Sequence, residues 1–102
     1  MNSLHFEREY RTPHSEGYLV LENDHRLGRL ELHFTQDAVF GTLIVEREMS
    51  ESEVLDLIER VDDELVTSAQ VAREDFVVTV YQGREIGAYS DESFEAEENE
   101  EE

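Results

Sequence analysis

Apolar and polar residues alternate at the start of the chain with a period of two. Leu4, Phe6 and Tyr10 lie among charged residues and a histidine over residues 4–11, which is typical of a strand with one buried and one wet face. The pattern predicts a strand over 4–11 that places these three side chains on the same face of a sheet.

Three more strands are predicted before the middle of the chain, over residues 18–22, 30–35 and 39–46. Turn-forming residues separate them. The segment 39–46 is apolar on both faces and rich in β-branched side chains, which favours a central position in the sheet. Because the connections are short, the four strands are expected to form an antiparallel meander, since parallel neighbours need long crossovers.

A helix signal begins at Ser50. Ser50 and Glu53 have the spacing of a capping box, and Met49 and Val54 that of a hydrophobic staple. A helix is predicted over residues 51–69, with one apolar stripe that should lie across the sheet.

Two further strands are predicted after the helix, over 76–81 and 85–89, joined by a tight turn at Gln82-Gly83. The expected fold is α+β, a mainly antiparallel sheet of about six strands in the order ββββ-α-ββ, with one amphipathic helix on one face. The connection through the helix is long enough for either a parallel crossover or an antiparallel return. Residues 1–90 are expected to form one compact domain.

The chain is strongly acidic. The chain has 27 acidic and 8 basic residues, all arginine, and a formal net charge of −19. Residues 91–102 contain eight acids and no base, which predicts a disordered acidic tail with Phe94 as a candidate docking anchor. High acidity without lysine favours a protein adapted to a cytoplasm of very high salt.

Residue usage excludes several functions. The chain has no cysteine, which rules out disulfides and thiolate chemistry, and no lysine, which rules out Schiff-base catalysis. Direct nucleic-acid binding is not expected of so acidic a chain. No apolar run is long enough to cross a membrane, and the first residues lack the pattern of a signal peptide, so neither a membrane span nor secretion is expected. We therefore predict a cytoplasmic, non-enzymatic protein without a cofactor.

Two histidines and a glutamate suggest an alternative to a non-enzymatic protein, a small metal-dependent or acid–base enzyme. His33 and Glu31 project from the same face of one predicted strand, and His5 could join them if the first and third strands were neighbours. Transition-metal sites usually have three or four ligands with firmer spacing. We interpret the three residues as a solvated polar face and predict no metal.

Carboxylates around the helix are the candidate functional feature. The residues selected as partner-binding are Glu46, Glu48, Asp56, Glu59 and Asp63, together with Phe94. The leading hypothesis is a small acidic interaction module of unknown specificity. The alternative is a nucleic-acid mimic that blocks a basic surface of a DNA-handling protein.

A protein partner is predicted in either case, with a basic protein and a second copy of the chain as candidates. One helix covers only one face of a sheet, and the strand over 76–81 is apolar on both faces. That strand is expected to need additional cover.

Overall fold

The computed structural model describes residues 3–67 and 75–91 and has an α+β fold with one helix and one five-stranded sheet. The strands are β1 (Leu4–Arg11), β2 (Ser15–Glu22), β3 (His25–Phe34), β4 (Ala38–Val45) and β5 (Asp75–Gln82), and the helix is α1 (Glu51–Val61). The predicted fold class is confirmed. The first strand has the predicted bounds, and β4 has neighbours on both sides, as predicted.

The strands lie side by side in chain order. Strands β1 to β4 form the predicted antiparallel meander, whereas β5 is parallel to β4, with Ala38 opposite Asp75 and Val45 opposite Gln82. Helix α1 lies between β4 and β5 in the chain, so it supplies the crossover that parallel neighbours require. The sheet is therefore mixed.

The sixth strand predicted over 85–89 is not formed. The N–H of Gly83 donates to the carbonyl oxygen of Val45 at 2.9 Å, and the Glu85 carboxylate lies 3.2 Å from Arg26 of β3. The chain therefore continues past the end of β4 towards β3 and does not turn back along β5. Residues 83–91 are all exposed, so a strand there would bury no apolar face.

The hydrophobic core lies between α1 and one face of the sheet. Its buried residues are Leu4, Tyr18, Val20, Leu27, Leu30, Leu32, Val39, Leu43, Val45, Leu57, Val61 and Val66. Side chains of β5 pack against the same core at Phe76, Val78 and Val80. Because successive side chains of a strand point to opposite faces, the alternate side chains lie on the other face, over which residues 3–67 and 75–91 place no helix, and we call it the open face.

The start of α1 is fixed by the predicted capping box. The Ser50 hydroxyl accepts a hydrogen bond from the Glu53 N–H at 3.2 Å, and the Ser50 N–H donates to the Glu53 carboxylate at 3.1 Å. Helical structure continues beyond α1 as a π-helical turn over Asp62–Val66. The predicted helix end at Ala69 lies outside the described residues.

A bulge in β1 corrects one prediction. Glu9 is an extra residue in the β1–β2 ladder, and the register places Tyr10 opposite Gly17. One extra residue inverts a period of two, so Tyr10 lies on the open face. The prediction that Tyr10 shares a face with the earlier apolar residues of β1 is wrong.

Candidate interaction surface

An uncharged strip runs along the open face where β4 and β5 lie side by side. Its members are Ala38, Phe40, Thr42 and Ile44 of β4 and Val77, Thr79 and Tyr81 of β5. We call these seven residues the β4–β5 strip. Phe40, Val77 and Tyr81 are 45%, 41% and 56% exposed, so the strip presents apolar and aromatic surface to the solvent.

The strip follows from the sequence of β4 and β5. Both strands are apolar on both faces, and the residues that alternate with the strip fill the core under α1. Cross-strand pairs join Phe40 to Val77 and Ile44 to Tyr81, and such pairs stabilise the ladder. They do not remove the outer surface of these side chains from water. The residues that the structure describes therefore leave these open-face side chains only partly covered.

The other half of the open face carries an ion-pair cluster in which two carboxylates share one arginine. Arg29 of β3 forms ion pairs with Glu9 and, at 3.6 Å, with Glu31. Its guanidinium carbon lies 5.9 Å from the centre of the Tyr10 ring, within the range of a cation–π contact. Arg29 is thus enclosed by two carboxylates and an aromatic ring.

Charged side chains mark both ends of the strip. Asp75 lies on the open face at the start of β5, opposite Ala38. Arg84 follows the end of β5 and lines a cavity of about 270 Å³ that Ile44 and Arg29 also line. No ion pair or hydrogen bond joins Arg84 to another residue of the ranges 3–67 and 75–91.

The three histidine-site candidates are not brought together. His5 and His33 lie on strands that β2 separates. His5 is opposite Leu21 and His33 is opposite Ser15, so nearly the whole length of β2, about 20 Å, lies between their levels. Of the other two candidates, only His33, two residues along β3 and on the same face, lies near Glu31. Within the part of the chain that the structure describes, no three His, Cys, Asp or Glu side chains form a group that could hold a metal ion.

Three of the predicted partner-binding carboxylates do converge. Asp56, Glu59 and Asp63 line one depression of about 220 Å³ on α1 and the turn that follows it. Arg60 also lines this depression, but its guanidinium lies 2.5 Å from the Glu64 carboxylate. All three converging carboxylates are exposed.

The remaining partner-binding candidates lie elsewhere. The Glu46 carboxylate is 2.5 Å from the guanidinium of Arg26, so it belongs to an ion pair at the end of β4. Glu48 is exposed in the segment before α1. Phe94 and most of the predicted tail, residues 92–102, lie outside the described residues.

Sequence reasoning missed the β4–β5 strip as a candidate site. Its signal was the doubly apolar pattern of the strand around Val77, which indicated additional cover without saying on which face. The face could be assigned only once β5 was known to be parallel to β4 and α1 was known to cover the opposite side.

Helix α1 has 11 residues, and none of the described helical segments is long and apolar enough to cross a membrane. Comparison of the chain with family models, with curated proteins and with solved structures found no match in any of the three.

Proposed function

We propose that this chain is a small acidic interaction module, without enzymatic activity, that binds a protein partner through the β4–β5 strip in a cytoplasm of high salt. The observation that carries the proposal is the strip itself. In a chain of which 34% is charged, these seven positions hold no charge, and three large apolar side chains among them stay exposed. Exposed apolar surface of this kind is characteristic of binding sites.

The charge of the chain is consistent with this role in high salt. Concentrated salt strengthens apolar association, so a protein with an exposed apolar strip needs another source of solubility there. Hydrated carboxylates on the remaining surface supply it. Under this proposal the acidity keeps the molecule soluble, and the strip selects the partner.

Two exposed tyrosines allow a direct test. Tyr81 in the strip and Tyr89 in the exposed segment after β5 are 56% and 52% exposed, so oxidative footprinting should label both in the dilute purified protein. In cells that express the chain, we expect labelling of Tyr81 to fall while that of Tyr89 is unchanged. Equal labelling of both residues in cells would contradict the proposal.

The acidic helix supports a second candidate function, a nucleic-acid mimic. Asp56, Glu59 and Asp63 line a common depression, and none of them forms an ion pair within the described ranges. Three carboxylates held on one helical element could occupy a basic groove that normally receives phosphates.

This second candidate predicts salt-sensitive capture of a DNA-handling protein. The triple variant D56N/E59Q/D63N should lose that capture. A control with the same net charge, E7Q/D24N/D37N, neutralises three exposed carboxylates on other surfaces and should retain it. Equal capture by both variants would show that the helix surface is not the binding site.

A further inference from the structure

We infer that the partner of the β4–β5 strip is a second copy of this chain, and that two copies pack open face to open face with β5 antiparallel to its counterpart. This inference rests on the proposed function and deepens it by naming the occupant.

The chemistry of the strip favours an apolar occupant. It offers no carboxylate to a basic protein, and the unpaired carboxylates of Asp56, Glu59 and Asp63 lie on the opposite side of the molecule, on α1 and the turn after it. On the neighbouring strands, Arg29 is already paired with Glu9 and Glu31. The strip itself is apolar and aromatic, and another copy presents the same surface.

The area is sufficient for a specific interface only when the whole open face is buried, because the strip, two strands wide, accounts for roughly 250 Å² of it. Five strands spaced about 4.8 Å apart and about 26 Å long present a face of roughly 600 Å². Burying that face on two copies removes about 1,200 Å² from water, which reaches the lower limit of stable protein–protein interfaces. Phe40, Val77 and Tyr81 would supply the large apolar side chains of that interface, along its β5 side.

The ends of the strip are complementary to each other. Asp75 begins β5 and Arg84 follows its end, with Thr79 close to the midpoint between them. When a two-fold axis perpendicular to the strands passes near Thr79, Asp75 of each copy faces Arg84 of the other. A two-fold interface contains each contact twice, so the unpaired Arg84 of each copy gains a carboxylate partner.

The first test is sedimentation of the full chain from dilute buffer to molar KCl. We expect a dimer that tightens as salt rises, because salt screens the repulsion between two chains of charge −19 and strengthens apolar contact. A complex with a basic protein would respond in the opposite direction. A monomer at every salt concentration would overturn the inference. If Tyr81 were still protected in cells, the interaction module would survive with a different partner.

A matched pair of variants tests whether the open face forms the dimer interface. Val77→Glu places a charge in the strip and should weaken dimerisation about tenfold or more, because it buries an unpaired carboxylate. Leu55→Glu makes the same change in charge at a side chain of α1 that is 56% exposed and should dimerise like the parent chain. Circular dichroism of both variants checks that each is folded. Equal dimerisation of the two variants would overturn the assignment to the open face.

A charge-exchange cycle tests the orientation. Asp75→Arg and Arg84→Asp should each weaken the dimer several-fold, and the double variant, which keeps the net charge, should restore it. If net charge alone governed association, Asp75→Arg would strengthen the dimer and Arg84→Asp would weaken it. Opposite effects of the two single variants would therefore overturn the antiparallel arrangement.

Discussion

The ring of Tyr10 lies against Gly17, its partner across the β1–β2 ladder, and leaves no room for a side chain at that position. A Cβ placed on Gly17 would stand 2.6 Å from Cδ2 of Tyr10. The same ring faces the guanidinium of Arg29. The glycine therefore allows the bulged end of β1 to bring an aromatic ring down onto β2.

Gly17→Ala should lower the free energy of unfolding by about 1–3 kcal/mol, because the ring has to leave its position. Urea unfolding measures the effect, with Gly83→Ala as the control, since nothing lies within 4 Å of a Cβ at position 83. In a Tyr10→Ala background the alanine at position 17 should cost much less. An unchanged cost there would mean that the ring is not the cause.

Gly28→Ala should be more damaging, at roughly 3 kcal/mol or more. A Cβ on Gly28 would lie 2.9 Å from the carbonyl carbon of Ile44 and 3.0 Å from the Cα of Val45. Backbone atoms of a paired strand cannot rotate away as a side chain can. Gly41→Ala is the matched control, because its nearest neighbour would be 3.4 Å away. Similar unfolding midpoints for the two variants would refute this prediction.

Alkaline pH should reveal the environment of Tyr18. Burial, and then the hydrogen bond to the Glu16 carboxylate, raise the pKa of Tyr18 from 10.0 to about 12. Since the pKa of Tyr18 is raised in the folded state, its protonated hydroxyl contributes to folding stability. This contribution is fully present below pH 10 and is lost as the pH rises through 12. In ultraviolet titration, Tyr18→Phe should remove an ionisation step near pH 12, whereas Tyr81→Phe should leave that step in place.

Acid pH should weaken the start of α1. The hydrogen bond from the Ser50 N–H, and then the Arg47 guanidinium, hold the pKa of the Glu53 carboxyl below its ordinary value of 4.5. A lowered pKa means that the stabilisation is present above pH 4.5 and is lost as the pH falls through the folded-state value. Glu53→Gln should be less stable than the parent at neutral pH, and the difference should shrink in acid.

Potassium chloride should stabilise the full chain. The net charge of −19 repels itself within the folded molecule, and screening reduces that repulsion. The ion pairs are partly exposed, and pairs of this kind contribute only about 0–1 kcal/mol each. Screening of the repulsion should therefore outweigh their loss. A melting temperature that falls with added salt would contradict both this account and the proposed adaptation to high salt.

Local patterns in the sequence were enough to predict most of the elements. The alternation over 4–11 predicted β1, and Ser50 with Glu53 predicted the start of α1, because each signal depends only on residues a few positions apart. The bulge at Glu9 could not be predicted in this way. It depends on how two strands pair, and it moves Tyr10 to the open face.

The candidate sites also depend on pairing between strands that are distant in the sequence, which local patterns do not predict. The direction of β5 depends on the path of the crossover, for which the chain is long enough in either direction. The separation of His5 from His33 depends on β2 lying between their strands. The β4–β5 strip could be predicted only in part. Alternation in the sequence predicts apolar side chains on both faces of β4 and β5, but only the packing of α1 shows which of the two faces stays open.

The β4–β5 strip is assembled from two strands that the whole of α1 separates along the chain. The meander of β1 to β4 joins sequence neighbours and can close through short loops, whereas β5 joins only by closing a long one. Until the ribosome has released the chain through Gln82, Phe40 and Ile44 have no partners on that side. The complete surface therefore forms only after β5 has been made, and a translation product interrupted before β5 lacks half of it.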